Sequence, residues 1–160
     1  MLTPLPIRLA DVRDAVPIAG MSRDLIEHGL GWSWTAPRVR QSIADAQTNV
    51  VVVPGDASAL RAFAIMRYRD DDAHLLLLAV QPDHTRRGIG RAMMAWLEKV
   101  ALTAGVDRIS LEARITNAAA RAFYARLGYV ESQVQPGYYR GVEASVRMAK
   151  DLWLDRPLRA

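Results

Sequence analysis

Apolar positions in this chain recur at two spacings, that of strands and that of helices, and switch between them several times. Ile7-Arg8-Leu9 reads as a short first strand, and Asp11 caps a helix running to about Glu27. Gly29 and Gly31 break that helix, and Trp32-Ser33-Trp34-Thr35 forms an aromatic loop. Thr35 then opens a second helix, with Pro37 in its first turn, ending near Ala46. Three strand signals follow: Asn49 to Val53, Leu60 to Tyr68 and Ala73 to Val80, separated by turns at Pro54-Gly55-Asp56 and Asp70-Asp71-Asp72. The run Leu75-Leu76-Leu77-Leu78 lacks alternation, which predicts a central strand buried on both faces.

The clearest helix spans Ile89 to Ala104, with Ile89, Met93, Trp96, Leu97 and Val100 as its apolar stripe and Gly105 as its C′ residue. Arg108 to Ala113 is a further strand, and Asn117 to Leu127 a helix stopped by Gly128. Two last strands, Tyr129 to Val134 and Ala144 to Met148, flank a loop containing Pro136-Gly137-Tyr138-Tyr139, and the segment 151–160 reads as an irregular tail. The order β-α-α-β-β-β-α-β-α-β-β predicts an α/β (α+β) mixed sheet carrying about four helices, in a single domain over 1–160. It is not the regular βαβαβ alternation of a dinucleotide-binding domain.

Composition narrows the chemistry. The chain has 160 residues and is 51% hydrophobic, enough for one core. It has no cysteine, which rules out disulfides, thiolate zinc sites and a thiol nucleophile. No histidine pair shows a metal-ligand spacing, so no metal is expected. The net charge is +4 and arginine dominates the basic set, with Lys99 and Lys150 the only lysines. Arginine forks suit phosphates and carboxylates. No aromatic nucleic-acid platform accompanies them, and nucleic acid is not an expected partner. The N-terminal residues lack an apolar signal core, and the run Leu75 to Val80 is far shorter than the ~20 residues a membrane span needs. A cytoplasmic chain, monomer or homodimer, is the expectation.

The first chemical signal is the turn after the leucine-rich strand. Gly88-Ile89-Gly90 opens the best helix, beside Arg86, Arg87 and Arg91. A helix N-terminus presents unpaired N–H groups and a positive dipole end, and glycines let a phosphate reach the backbone. This makes an anion site, most naturally for a pyrophosphate, against the alternative of a glycine turn with solvated arginines. The second signal is Glu112. On its strand Ser110, Glu112 and Arg114 share the face opposite Ile109, Leu111 and Ala113. A mid-strand carboxylate there is either a general base or the partner of Arg114 or another arginine. Tyr124 falls at the edge of a stripe made by Ala119, Phe123 and Leu127, where its ring packs and its hydroxyl reaches out. Asn117 is either an N-cap or a ligand contact. His74 and His84 flank the leucine-rich strand and are read as ordinary polar residues before bases.

Thr85-Arg86-Arg87-Gly88-Ile89-Gly90 resembles the phosphate motif [Gln/Arg]-x-x-Gly-x-[Gly/Ala] of the GNAT superfamily of N-acetyltransferases, departing from it at Thr85. The block Leu111 to Tyr129 resembles that superfamily's L-E-x-R-x-x-N-x-x-A-x-x-x-Y-x-x-L-G-[F/Y] pattern, in the form found in bacterial RimI-type protein N-terminal acetyltransferases; Tyr138-Tyr139 and Met148 echo the same group. The resemblance implies the acyl-CoA N-acyltransferase fold, with a mostly antiparallel sheet and a splayed strand pair that holds acetyl-CoA. The backbone of Leu78, Ala79 and Val80 would pair with the pantetheine arm, that of Arg86, Arg87, Gly88, Ile89, Gly90 and Arg91 would hold the pyrophosphate, and Asn117 would contact the cofactor near its sulfur. Glu112 would be the base and Tyr124 the acid in direct transfer of acetyl to a primary amine, on a protein N-terminus or a small molecule. Trp32, Trp34, Tyr138 and Tyr139 are the acceptor-site candidates. The alternative is a non-catalytic domain that senses acyl-CoA, motivated by Thr85.

Overall fold

A computed structural model of the chain describes residues 4–85, 87–139 and 143–155. It divides into two compact units, residues 1–67 with 76–96, and 68–75 with 97–160. Strand order in the seven-stranded sheet is β1-β2-β3-β4-β5-β7-β6, numbered along the chain as introduced below.

In the first unit, β1 (Arg8–Leu9) pairs antiparallel with β2 (Thr48–Pro54), and β2 with β3 (Leu60–Tyr68). Asp11 forms a capping box: its side chain accepts from Arg13 N–H, and its own N–H donates to Asp14. Arg8 reaches the buried Asp14 carboxylate with two bonds of 2.8 and 3.1 Å, tying the helix start to the edge strand. The predicted first helix has the expected extent but changes pitch twice. It begins as a 3₁₀ turn (Val12–Asp14), continues as α1 (Ala15–Met21) and ends as a π turn (Ser22–Ile26). α2 (Ala36–Ala44) starts after Thr35 as predicted; the Thr35 carbonyl accepts the first helical bond, from Val39 N–H, and its side chain makes no capping bond.

The core of this unit joins Ile18 of α1, Val39 of α2, Val52, Phe63 and Ile65 of the sheet, and Leu77 and Ala79 of β4 (Ala73–Val80). Phe63 is fully buried there, so its truncation to alanine is expected to cost about 3–5 kcal/mol.

β4 corrects one expectation. It is central in the strand order, but only Ala73, Leu75, Leu77 and Ala79 are buried; His74, Leu76, Leu78 and Val80 are half-buried. Successive side chains leave a strand on opposite faces, and one face of β4 is only partly covered. α3 (Ile89–Thr103) also differs in detail. Its buried line is Ile89, Met93, Met94, Leu97 and Ala101, with Trp96 and Val100 displaced to its half-buried edge. It ends as predicted at Gly105, with φ +85°, where Gly105 N–H bonds to Leu102 O and Val106 N–H to Ala101 O.

In the second unit the first three residues of β4 pair parallel with β5 (Arg108–Arg114), Ala73 to Leu75 opposite Ile109 to Leu111. β5 also pairs antiparallel with β7 (Glu143–Asp151) along its whole length, and β7 with β6 (Val130–Tyr139). α4 (Ala118–Arg126) lies between β5 and β6 in the chain, and Gly128 ends it at φ +96°. The last strands are longer than predicted. Pro136 to Tyr139 belong to β6, with the register shifting between Gln135 and Tyr139. Proline is tolerated there because β6 is an edge strand. The predicted irregular tail is ordered at its start: Leu152–Asp155 form a 3₁₀ turn whose Leu152 is buried and bonds its N–H to Asp107 O at 2.7 Å, while residues 156–160 lie outside the described residues.

Candidate active site

The anion turn is built where β4 stops. Pro82–His84 form a 3₁₀ turn, and the Thr85 hydroxyl donates to Pro82 O at 2.9 Å. That bond occupies the side chain at the motif's divergent position. Gly88 takes φ +77°, which costs a residue with a Cβ about 1–2 kcal/mol. A Cβ there would meet nothing within 4 Å, so the requirement is conformational and the space beside the backbone is open. Ala92 N–H makes the bond to Gly88 O that closes the first turn of α3. The N–H groups of Ile89, Gly90 and Arg91 precede it, at the end of the helix where the ladder supplies no acceptors. Arg87 and Arg91 are exposed. An open backbone cradle, a helix N-terminus and two exposed guanidiniums fit a pyrophosphate-bearing group. The buried Nδ1 of neighbouring His84 has no hydrogen-bond partner. Arg86 lies outside the described residues. Leu78 and Val80 are half-buried, and Ala79 is buried in the core.

In the second unit Glu112 faces Arg147 across the β5–β7 ladder, and Arg147 Nη1 stands 3.3 Å from its Oε1. Ser145 Oγ donates to the other oxygen at 3.5 Å, and the carboxylate side chain is 6% exposed. The partner is therefore the cross-strand arginine and not Arg114, which pairs with Glu143 at 3.6 Å. Directly opposite residues on paired strands lie closer than residues two apart on one strand. Burial pushes the Glu112 carboxyl above its ordinary range, against the charge of Arg147 and the Ser145 hydrogen bond. Such a group is a stronger base than a solvated carboxylate. One pleat along the same face, buried Ser110 meets His74 Nδ1 at 2.9 Å.

Tyr124 is the buried residue of α4, 8% exposed, whereas Phe123 and Leu127 are half-buried and Ala119 is exposed. It therefore marks the centre of that helix's inner face and not its edge. It packs edge-on against Phe123 and Tyr129, with ring centroids 5.0 and 5.8 Å away. Asn117 caps α4, its side chain accepting from Ala120 N–H at 3.0 Å.

Among the acceptor candidates, Trp34 is 7% exposed, joins the core, and has the Arg38 guanidinium 3.8 Å from its ring centroid. Trp32 is 44% exposed. Tyr138 and Tyr139 lie in β6, and their side chains fall outside the described residues.

Two polar clusters escaped sequence reasoning. Buried Glu27 accepts from Ser22, Ser33 and Trp34. Glu98 accepts from Lys150 Nζ at 2.8 Å and Tyr129 OH at 3.0 Å. Both join residues whose proximity no local spacing encodes; the one hint was a glutamate next to Gly29 and Gly31. Among the described residues no group of three His, Asp or Glu side chains is arranged to hold a metal, and no helix is long and apolar enough to cross a membrane.

Comparison with known proteins agrees with this layout. Residues 23–129 match the acetyltransferase (GNAT) family. The chain is 41% identical over 93 residues to the [ribosomal protein bS18]-alanine N-acetyltransferase of Salmonella typhimurium, a match spanning 56% of this chain and 63% of that protein. The crystal structure of the Escherichia coli ribosomal-protein-S18-alanine N-acetyltransferase superposes with a TM-score of 0.77 at 29% identity, covering 92% of this chain and 93% of the other. The PaiA N-acetyltransferase of Thermoplasma acidophilum, solved with coenzyme A, has the same fold, with a TM-score of 0.77 at 18% identity over 93% of this chain and 99% of that one. With its mixed sheet, four helices and a glycine turn between β4 and α3, the chain belongs to the acetyltransferase (GNAT) family.

Proposed function

We propose that the chain transfers the acetyl group of acetyl-CoA directly to a primary amine, with a protein N-terminus as the acceptor class the comparisons favour. The observation that carries this reading is Glu112, a buried carboxylate raised above its ordinary range in mid-strand. Desolvation makes such a carboxylate a better proton acceptor than a solvated one, which suits a general base. The similar proteins of Salmonella typhimurium and Escherichia coli are named for acetylating the alanine of ribosomal protein bS18.

Acetyl-CoA supplies an activated thioester when bound. The N–H groups of Ile89, Gly90 and Arg91 and the guanidiniums of Arg87 and Arg91 would hold its pyrophosphate, the motif's Arg86 would add its charge, and the backbone of Leu78 to Val80 would line its arm. Asn117, which caps α4, would contact the cofactor near its sulfur end. An α-amine has a pKa near ~8, so much of it is protonated at neutral pH. Glu112 accepts that proton, directly or through a water, and the freed amine attacks the thioester carbonyl. Tyr124 returns a proton to the departing sulfur from its hydroxyl. Each proton transfer is expected to contribute about 10²–10⁴-fold.

The test has two stages. Acetyl-CoA is expected to raise the melting temperature, since a ligand of the native state stabilises it. A flat response overturns the cofactor assignment. Turnover with an alanine-initiated bS18 peptide and a panel of small amines then compares wild type with Glu112→Gln and Tyr124→Phe. Full rates in both variants, with chemistry limiting, overturn the two roles. Acetyl-CoA binding without turnover on any amine favours the sensing domain instead.

A further inference from the structure

Tyr124, the proposed acid, packs against a residue that is itself held at both ends. Tyr129 lies just past the end of α4, and its N–H bonds back to Tyr124 O at 3.0 Å. Its ring stands edge-on to the Tyr124 ring, with 5.8 Å between centroids and 68° between planes. Its hydroxyl donates to Glu98 Oε2 on α3 at 3.0 Å. The whole residue is 2% exposed.

The Glu98 carboxylate is fixed in turn. Lys150 Nζ on β7 donates to its Oε1 at 2.8 Å, and the two side chains are only 15% and 16% exposed. The same ammonium lies 5.9 Å from the Tyr129 ring centroid. Gly128 leaves room for it, since a Cβ at that position would come within 3.3 Å of Lys150 Cε. The glycine that ends α4 at φ +96° therefore also makes space for the lysine stem beside the tyrosine. α3, β7 and the end of α4 converge on one phenol, and Glu98, Tyr124, Tyr129 and Lys150 all belong to the second unit.

Ring packing alone leaves an aromatic side chain some freedom to tilt; a hydrogen bond from its hydroxyl adds direction. With its backbone tied to Tyr124 and its phenol tied to Glu98, the Tyr129 ring is fixed, and in a close-packed interior it restricts the ring against it. A proton donor must lie within about 2.6–3.2 Å of the atom it serves. Misplacing a reacting group by about 1 Å costs on the order of 10²-fold in rate. Such groups are held by neighbours whose own rotamers are locked by packing and hydrogen bonds.

We infer that Tyr129 is a positioning residue for Tyr124: anchored by Glu98 and Lys150, it fixes the orientation in which Tyr124 presents its hydroxyl. The inference rests on the acetyltransferase reading above, with Tyr124 as the acid.

The test is a double-mutant cycle in steady-state kinetics, with acetyl-CoA and an alanine-initiated bS18 peptide, at a temperature where every variant is folded. Tyr129→Phe keeps the ring and loses the bond to Glu98. It is expected to lower kcat about five- to tenfold while both KM values move less than about twofold. Glu98→Leu, which removes the acceptor and leaves Tyr129 in place, gives a similar loss and serves if Tyr129→Phe does not fold. Glu98→Gln, whose amide oxygen still accepts from the phenol, recovers most of the rate. In a Tyr124→Phe background, Tyr129→Phe lowers kcat no further, since it acts through the hydroxyl already removed. An unchanged kcat in folded Tyr129→Phe and Glu98→Leu, or a loss that persists in full in the Tyr124→Phe background, overturns the proposal and leaves the acetyltransferase reading standing. Full activity of Tyr124→Phe overturns the acid role and the positioning role with it. A wild-type chain that binds acetyl-CoA and acetylates no amine overturns the acetyltransferase reading as well.

Discussion

Glu112 and Arg147 stand directly opposite each other on β5 and β7, 3.3 Å apart at their nearest charged atoms, with the carboxylate side nearly closed to solvent and the guanidinium side half-open. The pair is a compromise. Burial raises the carboxyl and the arginine lowers it, and the first effect is the larger. Arg147 therefore sets how basic Glu112 is.

With Glu112 as the proposed base, removing that charge is expected to shift the pH dependence of catalysis. A base works only when deprotonated, so activity falls as pH drops through its pKa. Arg147→Met is expected to move the acidic limb of the kcat/KM profile to higher pH, and Arg147→Lys to leave it closer to wild type. A pH–rate profile of the three proteins checks the direction.

The same shift has a stability consequence of the opposite kind. A carboxyl raised in the folded state binds protons more tightly there than when unfolded, so its contribution is fully present below the unfolded pKa and is lost as pH rises through the folded one. Glu112→Gln, which cannot ionise, is expected to melt higher than wild type at neutral pH while turning over about 10²-fold more slowly or worse. The melting advantage shrinks under acid conditions, which a melting series from pH 4 to pH 8 follows, with the pH range chosen around the ordinary carboxyl value of ~4.3.

At the anion turn, Gly88→Ala forces a Cβ into φ +77°. It is expected to destabilise the protein by about 1–2 kcal/mol and to weaken acetyl-CoA binding. Arg87→Ala and Arg91→Ala leave the backbone intact, so they reduce acetyl-CoA affinity with little loss of melting temperature. Calorimetric titration beside thermal unfolding separates the two effects.

Asn117 combines a cap with a proposed cofactor contact. Asn117→Ala is expected to cost about 1 kcal/mol of stability, and Asn117→Ser to restore most of it, because a serine hydroxyl also caps. If the amide contacts the cofactor, the serine variant regains stability but not acetyl-CoA affinity. Equal recovery of both limits Asn117 to its cap.

Local chemistry made much of this legible. The strand edges of β3 and β4 follow from β-branched and apolar runs ending at Pro, Gly and Asp clusters, and the ends of α3 and α4 from Gly105 and Gly128. Asp11 and Asn117 announced their caps because capping depends on neighbours within three residues. The glycine turn opening α3 was visible for the same reason, since Gly88 and the helix start lie side by side in sequence.

Features governed by partners outside the element's own periodicity were not legible. Periodicity placed Tyr124 at the edge of a stripe, but Tyr129 packs against its ring and puts it at the centre. The four leucines of β4 promised two buried faces, and coverage by other elements decides that, so one face is half-open. Glu112 met Arg147, 35 residues on, instead of Arg114 beside it, because strand pairing sets the nearest neighbour. Glu27 looked like a helix-end residue until the loop brought Ser33 and Trp34 onto it. The sequence by itself determined the elements, their order and the residues equipped for chemistry, since these depend on local backbone preference and spacing. Only the tertiary structure decided which of those residues are buried and which charges meet, because burial and pairing depend on how strands, helices and loops pack on one another and not on the spacing within one element.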